Sequence, residues 1–262
     1  MPYCEFRRTV SISITIHAAI VALAALIALF LVIPRPLLQL QRVLFPLQAH
    51  LISPIRRDHN KRGWEKIQLQ KDVHENLLRF LKDSRRKLIY YNDSHPEDFI
   101  IYGKTALLPL SHVQKAMLVQ ALLPPASKFC RCQLDSNARV HGIRIYKNGS
   151  RLVEHMDWPD SWVISVTINL QESNSPSDHW AFSLRHGILS ERTLIRHAPG
   201  EAVIYEGSRL YHSRPTAFEG DEYSAVFVGF VPIGYPRETD ALSTRLLIPL
   251  VRFVKTFLSA YW

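Results

Sequence analysis

The chain of 262 residues holds 12 histidines, and one of them, His155, is followed two residues later by an aspartate, Asp157. In an extended strand, residues i and i+2 point to the same face, so both side chains would project together. His212 lies downstream in a second run that reads as a strand. Two imidazoles and one carboxylate form a three-ligand metal site with coordination positions left open. That donor set suits iron(II) and also resembles an open zinc site, so the ligands alone do not fix the metal. His95-Pro96-Glu97 is a near-miss of the same pattern, but it stands in a polar stretch and reads as a turn.

Ligands on strands need a barrel or sandwich to bring them together, and the sequence supplies the strands. From about residue 141 the texture is short β-rich runs between turn signals. The runs cover residues 141–147, 151–157, 162–170, 180–184, 193–195, 202–205, 210–214 and 224–231. Asn148-Gly149 predicts a two-residue hairpin, and Pro199-Gly200 and Glu219-Gly220-Asp221 predict further turns. This many short strands in so short a length predict a mainly β jelly roll or barrel. Upstream, residues 64–90 carry Ile67, Val73, Leu77, Leu78, Phe80 and Leu81 at near-helical spacing and predict a helix. A second helix, capped by Ser111, is predicted to stop at Pro124-Pro125. Residues 239–262 predict a C-terminal helix. Trp158, Trp162 and Trp180 are candidates for a substrate groove or for core packing. Cys130 and Cys132 are either bonded to each other or free thiols, and three cysteines are too few for a disulfide scaffold. There is no nucleotide-binding glycine loop and no serine nucleophile elbow.

Charge is unevenly placed. The net charge is +9, but residues 91–262 hold equal numbers of acidic and basic side chains, and the excess sits in residues 35–90. Nucleic acid is not expected as a partner, because no recognition motif accompanies that excess. It follows an apolar stretch, residues 12–33, which contains no acidic or basic residue apart from His17. As a helix this stretch would span about 33 Å, against a hydrocarbon core of about 30 Å. It is longer than the apolar region of a cleaved signal peptide, which predicts a retained anchor. Asn92-Asp93-Ser94 and Asn148-Gly149-Ser150 are glycosylation sequons, and a short tail precedes the span. The expectation is a type II membrane protein of the endoplasmic reticulum or Golgi with a lumenal C-terminal domain. The organisation read from the chain is a tail (1–11), an anchor (12–33), a basic stalk (34–62), a helical support region (63–140), a β domain (141–238) and a C-terminal helix (239–262).

Several ordered stretches carry a family resemblance. They are Arg144-Ile145-Tyr146 leading to His155-Met156-Asp157, then residues 198–207 (APGEAVIYEG), then Tyr211-His212-Ser213-Arg214-Pro215, then residues 220–228 (GDEYSAVFV). Together these resemble the 2-oxoglutarate- and iron(II)-dependent dioxygenases of the prolyl 4-hydroxylase-like group, over about a third of the chain. The resemblance implies a double-stranded β-helix with flanking helices. It also implies iron(II) held by His155, Asp157 and His212, with 2-oxoglutarate and dioxygen as co-reactants and ascorbate as a candidate reductant. The implied reaction oxidises 2-oxoglutarate to succinate and carbon dioxide while hydroxylating a peptide or protein substrate, by default at proline.

The chain departs from the group at one position. Members often place a basic residue about ten positions after the second histidine, to pair with the far carboxylate of 2-oxoglutarate, and here Glu222 stands there. A carboxylate cannot pair with a carboxylate without a proton or cation between them. Arg214, two residues after His212, shares its expected facing and offers a planar fork. Tyr146 matches a tyrosine that hydrogen-bonds the cosubstrate in related enzymes, and Thr167 is a second candidate donor. The competing expectation is a membrane-anchored jelly roll that binds a partner without catalysis. Oligomeric state is not legible.

Overall fold

The computed structural model describes residues 62–91, 100–158, 161–175, 179–187 and 189–236, with helical positions 245, 246, 248–250 and 253. The predicted anchor, nearly all of the stalk, the Asn92 sequon, the His95-Pro96-Glu97 turn and most of the C-terminal helix lie outside the described residues. Among the described residues no helix is long and apolar enough to cross a membrane.

Twelve strands are described, in two antiparallel sheets. The larger sheet is ordered β1 (Trp64–Gln68), β10 (Glu201–Tyr205), β7 (Ile164–Ser173), β12 (Glu222–Phe230), β5 (Arg139–Lys147), β4 (Thr105–Leu108) and β2 (Ile89–Tyr91). The smaller is ordered β3 (Ile101–Tyr102), β6 (Arg151–His155), β11 (Tyr211–Arg214), β8 (Phe182–Arg185) and β9 (Thr193–Ile195). All eight strand runs expected after residue 141 are present, with ends shifted by a few residues. Two helices, α1 (Lys71–Asp83) and α2 (His112–Cys130), cover one face of the larger sheet.

Alternation along the strands divides the core. In β7, Ile164, Val166, Ile168 and Leu170 pack with Val73, Leu77 and Leu81 of α1 and with Leu118 and Leu122 of α2. The intervening Ser165, Thr167 and Asn169 are also buried, on the opposite face, which lines the space between the sheets. β10 and β5 divide likewise: Ala202, Ile204, Ile143 and Ile145 lie toward the helices, and Val203, Tyr205 and Tyr146 lie in the inner clusters.

Three local expectations are corrected. Residues 64–90 are not one helix, because residues 64–68 form an edge strand registered against β10 and only the middle is helical. Backbone hydrogen bonds across a sheet edge outweigh an apolar spacing shared by both structures. α2 does not stop at Pro124-Pro125 but runs on to Cys130. The prolines remove the donors to the carbonyls of Gln120 and Ala121, yet Leu118, Leu122, Ala126 and Cys130 form a continuous buried stripe that holds the helix against the sheet. Asn148-Gly149 does make a tight turn, with Ser150 N–H bonded to Lys147 O at 3.0 Å and Gly149 at φ +81°. It joins no hairpin, however: β5 belongs to the larger sheet and β6 to the smaller. The turn carries the chain across the barrel edge and so delivers His155 to the wall facing β7. Ser111 caps α2 as expected, accepting from Gln114 N–H. Cys130 and Cys132 are joined by a disulfide.

Candidate metal centre

β6 and β11 are neighbours, and their register sets His155 directly opposite His212. The imidazole centroids are 4.2 Å apart. Asp157 follows β6, its N–H bonded to Gly207 O at 2.9 Å. Its Oδ1 lies 3.4 Å from His212 Nε2 and 3.8 Å from His155 Nε2. One donor atom from each of the three residues lies within 4.8 Å of the others. This is the only such group of three among the described residues.

Backbone carbonyls orient both rings. His155 Nδ1 is 2.7 Å from Val153 O, and His212 Nδ1 is 2.9 Å from Leu210 O. Each carbonyl can only accept, so each Nδ1 carries the proton and each Nε2 presents a lone pair to the shared space. Ser165 Oγ donates to Asp157 Oδ2 at 2.6 Å, which leaves Oδ1 as the converging oxygen. Burial disfavours the charge of Asp157, but without a metal the charge and hydrogen bond of His212 and the charge of His155, both as protonated rings, together with the Ser165 hydroxyl outweigh it and hold the carboxyl below its usual range; a bound metal cation would replace those two protons and leave the rings neutral. Gly207 closes the site from behind, where any Cβ would collide with Ser165 Oγ and Asp157 Oδ2. Two neutral imidazoles and an ionised carboxylate, each fixed by a second partner, fit a divalent transition metal such as iron(II).

Beside this centre the barrel is lined with aromatic rings around a cation. Tyr205 packs edge-on to His212 at 4.8 Å, and Phe182 lies 6.0 Å from it. Arg214 is 1% exposed. Its guanidinium stacks against Tyr223 at 4.3 Å and Trp180 at 4.6 Å, with Phe182 at 5.7 Å. It donates to Trp180 O and to the Tyr223 hydroxyl, and among the described residues no carboxylate pairs with it. Tyr146 is buried in the same wall, 5.3 Å from Trp180 and 6.1 Å from Tyr223 between ring centroids. Thr167 Oγ1 is buried with no hydrogen-bond partner. The structure thus brings all six sequence-selected residues into one inter-sheet space. An anion placed there would meet a buried cation and an unsatisfied hydroxyl, so the residues present also fit a dicarboxylate such as 2-oxoglutarate.

Glu222 is not in this space. It faces the helix side of the larger sheet, where Arg85 reaches it at 2.6 Å, Lys147 at 2.8 Å and Gln171 at 2.7 Å. Burial disfavours its charge, but Arg85 and then Lys147 hold its pKa below the ordinary value. The inward position on β12 is Tyr223. Ser165, Phe182, His197, Tyr205 and Tyr223 were not selected from sequence. Ser165 had a signal, since polar residues recur at every second position in an otherwise apolar strand (165, 167, 169). Trp180, named only as a groove or core residue, lies against Arg214.

No family model matches the chain, and no curated protein matches it. Solved structures do. A prolyl hydroxylase from Trichoplax adhaerens, in complex with a hypoxia-inducible factor oxygen degradation domain peptide fragment, is 13% identical and superposes with a TM-score of 0.50, covering 77% of this chain and 94% of its own. A prolyl-4-hydroxylase from Pseudomonas putida is 14% identical, with a TM-score of 0.49 over 65% of this chain and 92% of its own. A 2OG-Fe(II) oxygenase family oxidoreductase from Burkholderia pseudomallei is 13% identical, with a TM-score of 0.47 over 65% and 86%. At these identities the likeness concerns the fold.

Proposed function

We infer the function from two observations: the described residues share the fold of a prolyl hydroxylase, and the inter-sheet space holds two imidazoles, a carboxylate and a buried cation. From this we propose that the protein is an iron(II)- and 2-oxoglutarate-dependent dioxygenase that hydroxylates a peptidyl substrate, with proline as the default residue. The observation that carries the reading is Arg214: a fully buried guanidinium, on the strand of a metal-site histidine, with no carboxylate partner among the described residues. An unpaired buried charge is costly, and a dianionic cosubstrate removes that cost on binding.

Each group has a task in this reading. His155, Asp157 and His212 hold the metal on one side and leave the other side to ligands. When bound, iron(II) with 2-oxoglutarate would supply the electrons that activate dioxygen, the oxidant for hydroxylation. Arg214 lies two strand residues from His212, about 7 Å along the strand, and a five-carbon dicarboxylate extends about 5 Å between its end carbons. One carboxylate can therefore face the metal ligands while the other takes the fork of Arg214. The Thr167 hydroxyl donates to the bound anion, Tyr146 flanks it, and the Trp180, Phe182 and Tyr223 rings exclude water. Ser165 and the two histidine-bound carbonyls keep the ligands aimed while the site is open.

A peptide substrate is supported by the resemblance and by the peptide complex of the Trichoplax neighbour. The uncharged stretch 12–33 supports a retained type II anchor, and the sequons support a lumenal catalytic domain. Incubation of the full chain with iron(II), 2-oxoglutarate, ascorbate and a proline-containing peptide library tests the activity. The expected result is gain of one oxygen atom at proline, and oxidation confined to another residue would move the substrate class. Release of the protein by alkaline carbonate would oppose the anchor.

A further inference from the structure

Arg214 is held by a phenol whose own proton must go elsewhere. A guanidinium only donates, so in the Arg214–Tyr223 contact the phenolic oxygen accepts. The Tyr223 hydroxyl then needs an acceptor for its hydrogen. His197 Nε2 lies 3.3 Å from that oxygen. His197 is 1% exposed and sits in the segment between β9 and β10. Its carbonyl accepts from Asn169 Nδ2 at 2.8 Å, which ties that segment to the inner face of β7. Its ring packs edge-on to Phe182, centroids 6.5 Å apart.

We propose that His197, as a neutral imidazole accepting the Tyr223 hydroxyl proton at Nε2, is a positioning residue that sets cosubstrate affinity by aiming the Tyr223 oxygen at Arg214. The inference rests on the dioxygenase reading and extends it to a residue that touches neither the metal ligands nor the cosubstrate. With the phenol hydrogen committed to His197, the lone pairs of Tyr223 stay on the Arg214 side, and the donated bond makes the oxygen a stronger acceptor. Arg214 is then braced from two directions, by the Trp180 carbonyl and by the phenol, and its remaining N–H groups keep their aim. Without His197 the hydroxyl can turn its hydrogen toward the guanidinium, and the brace is lost. The environment agrees with a neutral ring, because burial first and the charge of Arg214 second hold His197 well below the usual imidazole range.

The test is calorimetric binding of 2-oxoglutarate to the manganese(II)-loaded full chain without oxygen, beside Michaelis constants for 2-oxoglutarate. His197→Phe keeps an aromatic ring and removes the acceptor, and Tyr223→Phe removes the link. Each is expected to weaken 2-oxoglutarate about tenfold, the scale of one hydrogen bond to a charged group. Manganese affinity should stay within about threefold in every variant, and kcat should stay within about threefold in the His197 variants. The double variant should be no weaker than either single one, because both break the same chain, and His197→Gln should recover most of the affinity. Should His197→Phe not fold, His197→Leu carries the same expectation. Unchanged affinity in the single variants, or losses that multiply to about a hundredfold in the double one, would overturn the inference while leaving the dioxygenase reading intact. A wild-type protein that does not bind 2-oxoglutarate would overturn both.

Discussion

Replacing Arg214 with methionine separates binding from folding, because each has its own readout in thermal unfolding without and with the cosubstrate. The guanidinium is buried without a carboxylate partner among the described residues, so the ligand-free protein bears a desolvation cost that methionine relieves. Against this, the Trp180 carbonyl loses its donor, at about 1–3 kcal/mol, and three ring contacts with the cation disappear, at about 0.5–2 kcal/mol each. Tyr223 keeps His197 as a partner. Replacing buried ionic groups with apolar ones of similar volume often gains about 1–4 kcal/mol, which offsets part of these losses and leaves a net cost of about 3 kcal/mol. The ligand-free Tm is expected to fall by about 6–12 °C, at about 2–4 °C per kcal/mol. Cosubstrate binding has no such compensation. Losing one buried charge pair costs about 2–5 kcal/mol, at least about 30-fold in Kd. Thermal unfolding with and without saturating 2-oxoglutarate reads both at once, since a ligand bound only by the native state raises Tm. The wild type should gain stability from 2-oxoglutarate in the presence of manganese(II), and Arg214→Met should not. Equal stabilisation of both would refute the role given to Arg214, and collapse of the ligand-free variant would refute the argument that its charge is a burden awaiting a ligand.

Other changes test neighbouring parts of the account. Asp157→Ala should abolish iron-dependent turnover, and Asp157→Glu should also impair it, because one added methylene displaces the carboxylate by about an ångström in a site that tolerates little misplacement; steady-state 2-oxoglutarate consumption checks both. Gly207→Ala should weaken metal binding at least about tenfold through its collision with Ser165 and Asp157, measured by competition with a chelating dye. Glu222→Gln should cost about 1–2 kcal/mol at neutral pH and leave cosubstrate affinity unchanged. The pKa of Glu222 is lowered by folding, so its contribution is complete above the ordinary value of 4.5 and fades as pH falls through the lowered folded value. The two proteins should therefore converge in urea-unfolding stability toward strongly acidic pH.

The sequence revealed most where local pattern and tertiary role coincide. His155 and Asp157 share a face because strand geometry demands it, and the runs after residue 141 read as strands because turn residues punctuate them. It revealed less where partners come from afar. Residues 64–68 are a strand only because β10 offers an edge, and no apolar spacing within the segment records that. The Asn148-Gly149 turn is local, but whether its flanks pair with each other or enter opposite sheets depends on β12, β4, β11 and β3. Motif position alone makes Glu222 an obstacle to cosubstrate binding. Strand alternation turns it away from the inter-sheet space and turns Tyr223 inward. The link from Tyr223 to His197 spans 26 residues and two strands, and nothing in the spacing of either residue announces it.

The central claim is that His155, Asp157 and His212 hold an iron(II) at which 2-oxoglutarate is consumed. Its most direct test is succinate formation by the purified full chain supplied with iron(II), ascorbate, oxygen and 2-oxoglutarate, beside Asp157→Ala under the same conditions. The account predicts iron-dependent succinate from the wild type and none above background from the variant. Equal succinate from both, or none from a wild-type protein that has bound iron and 2-oxoglutarate, would contradict it.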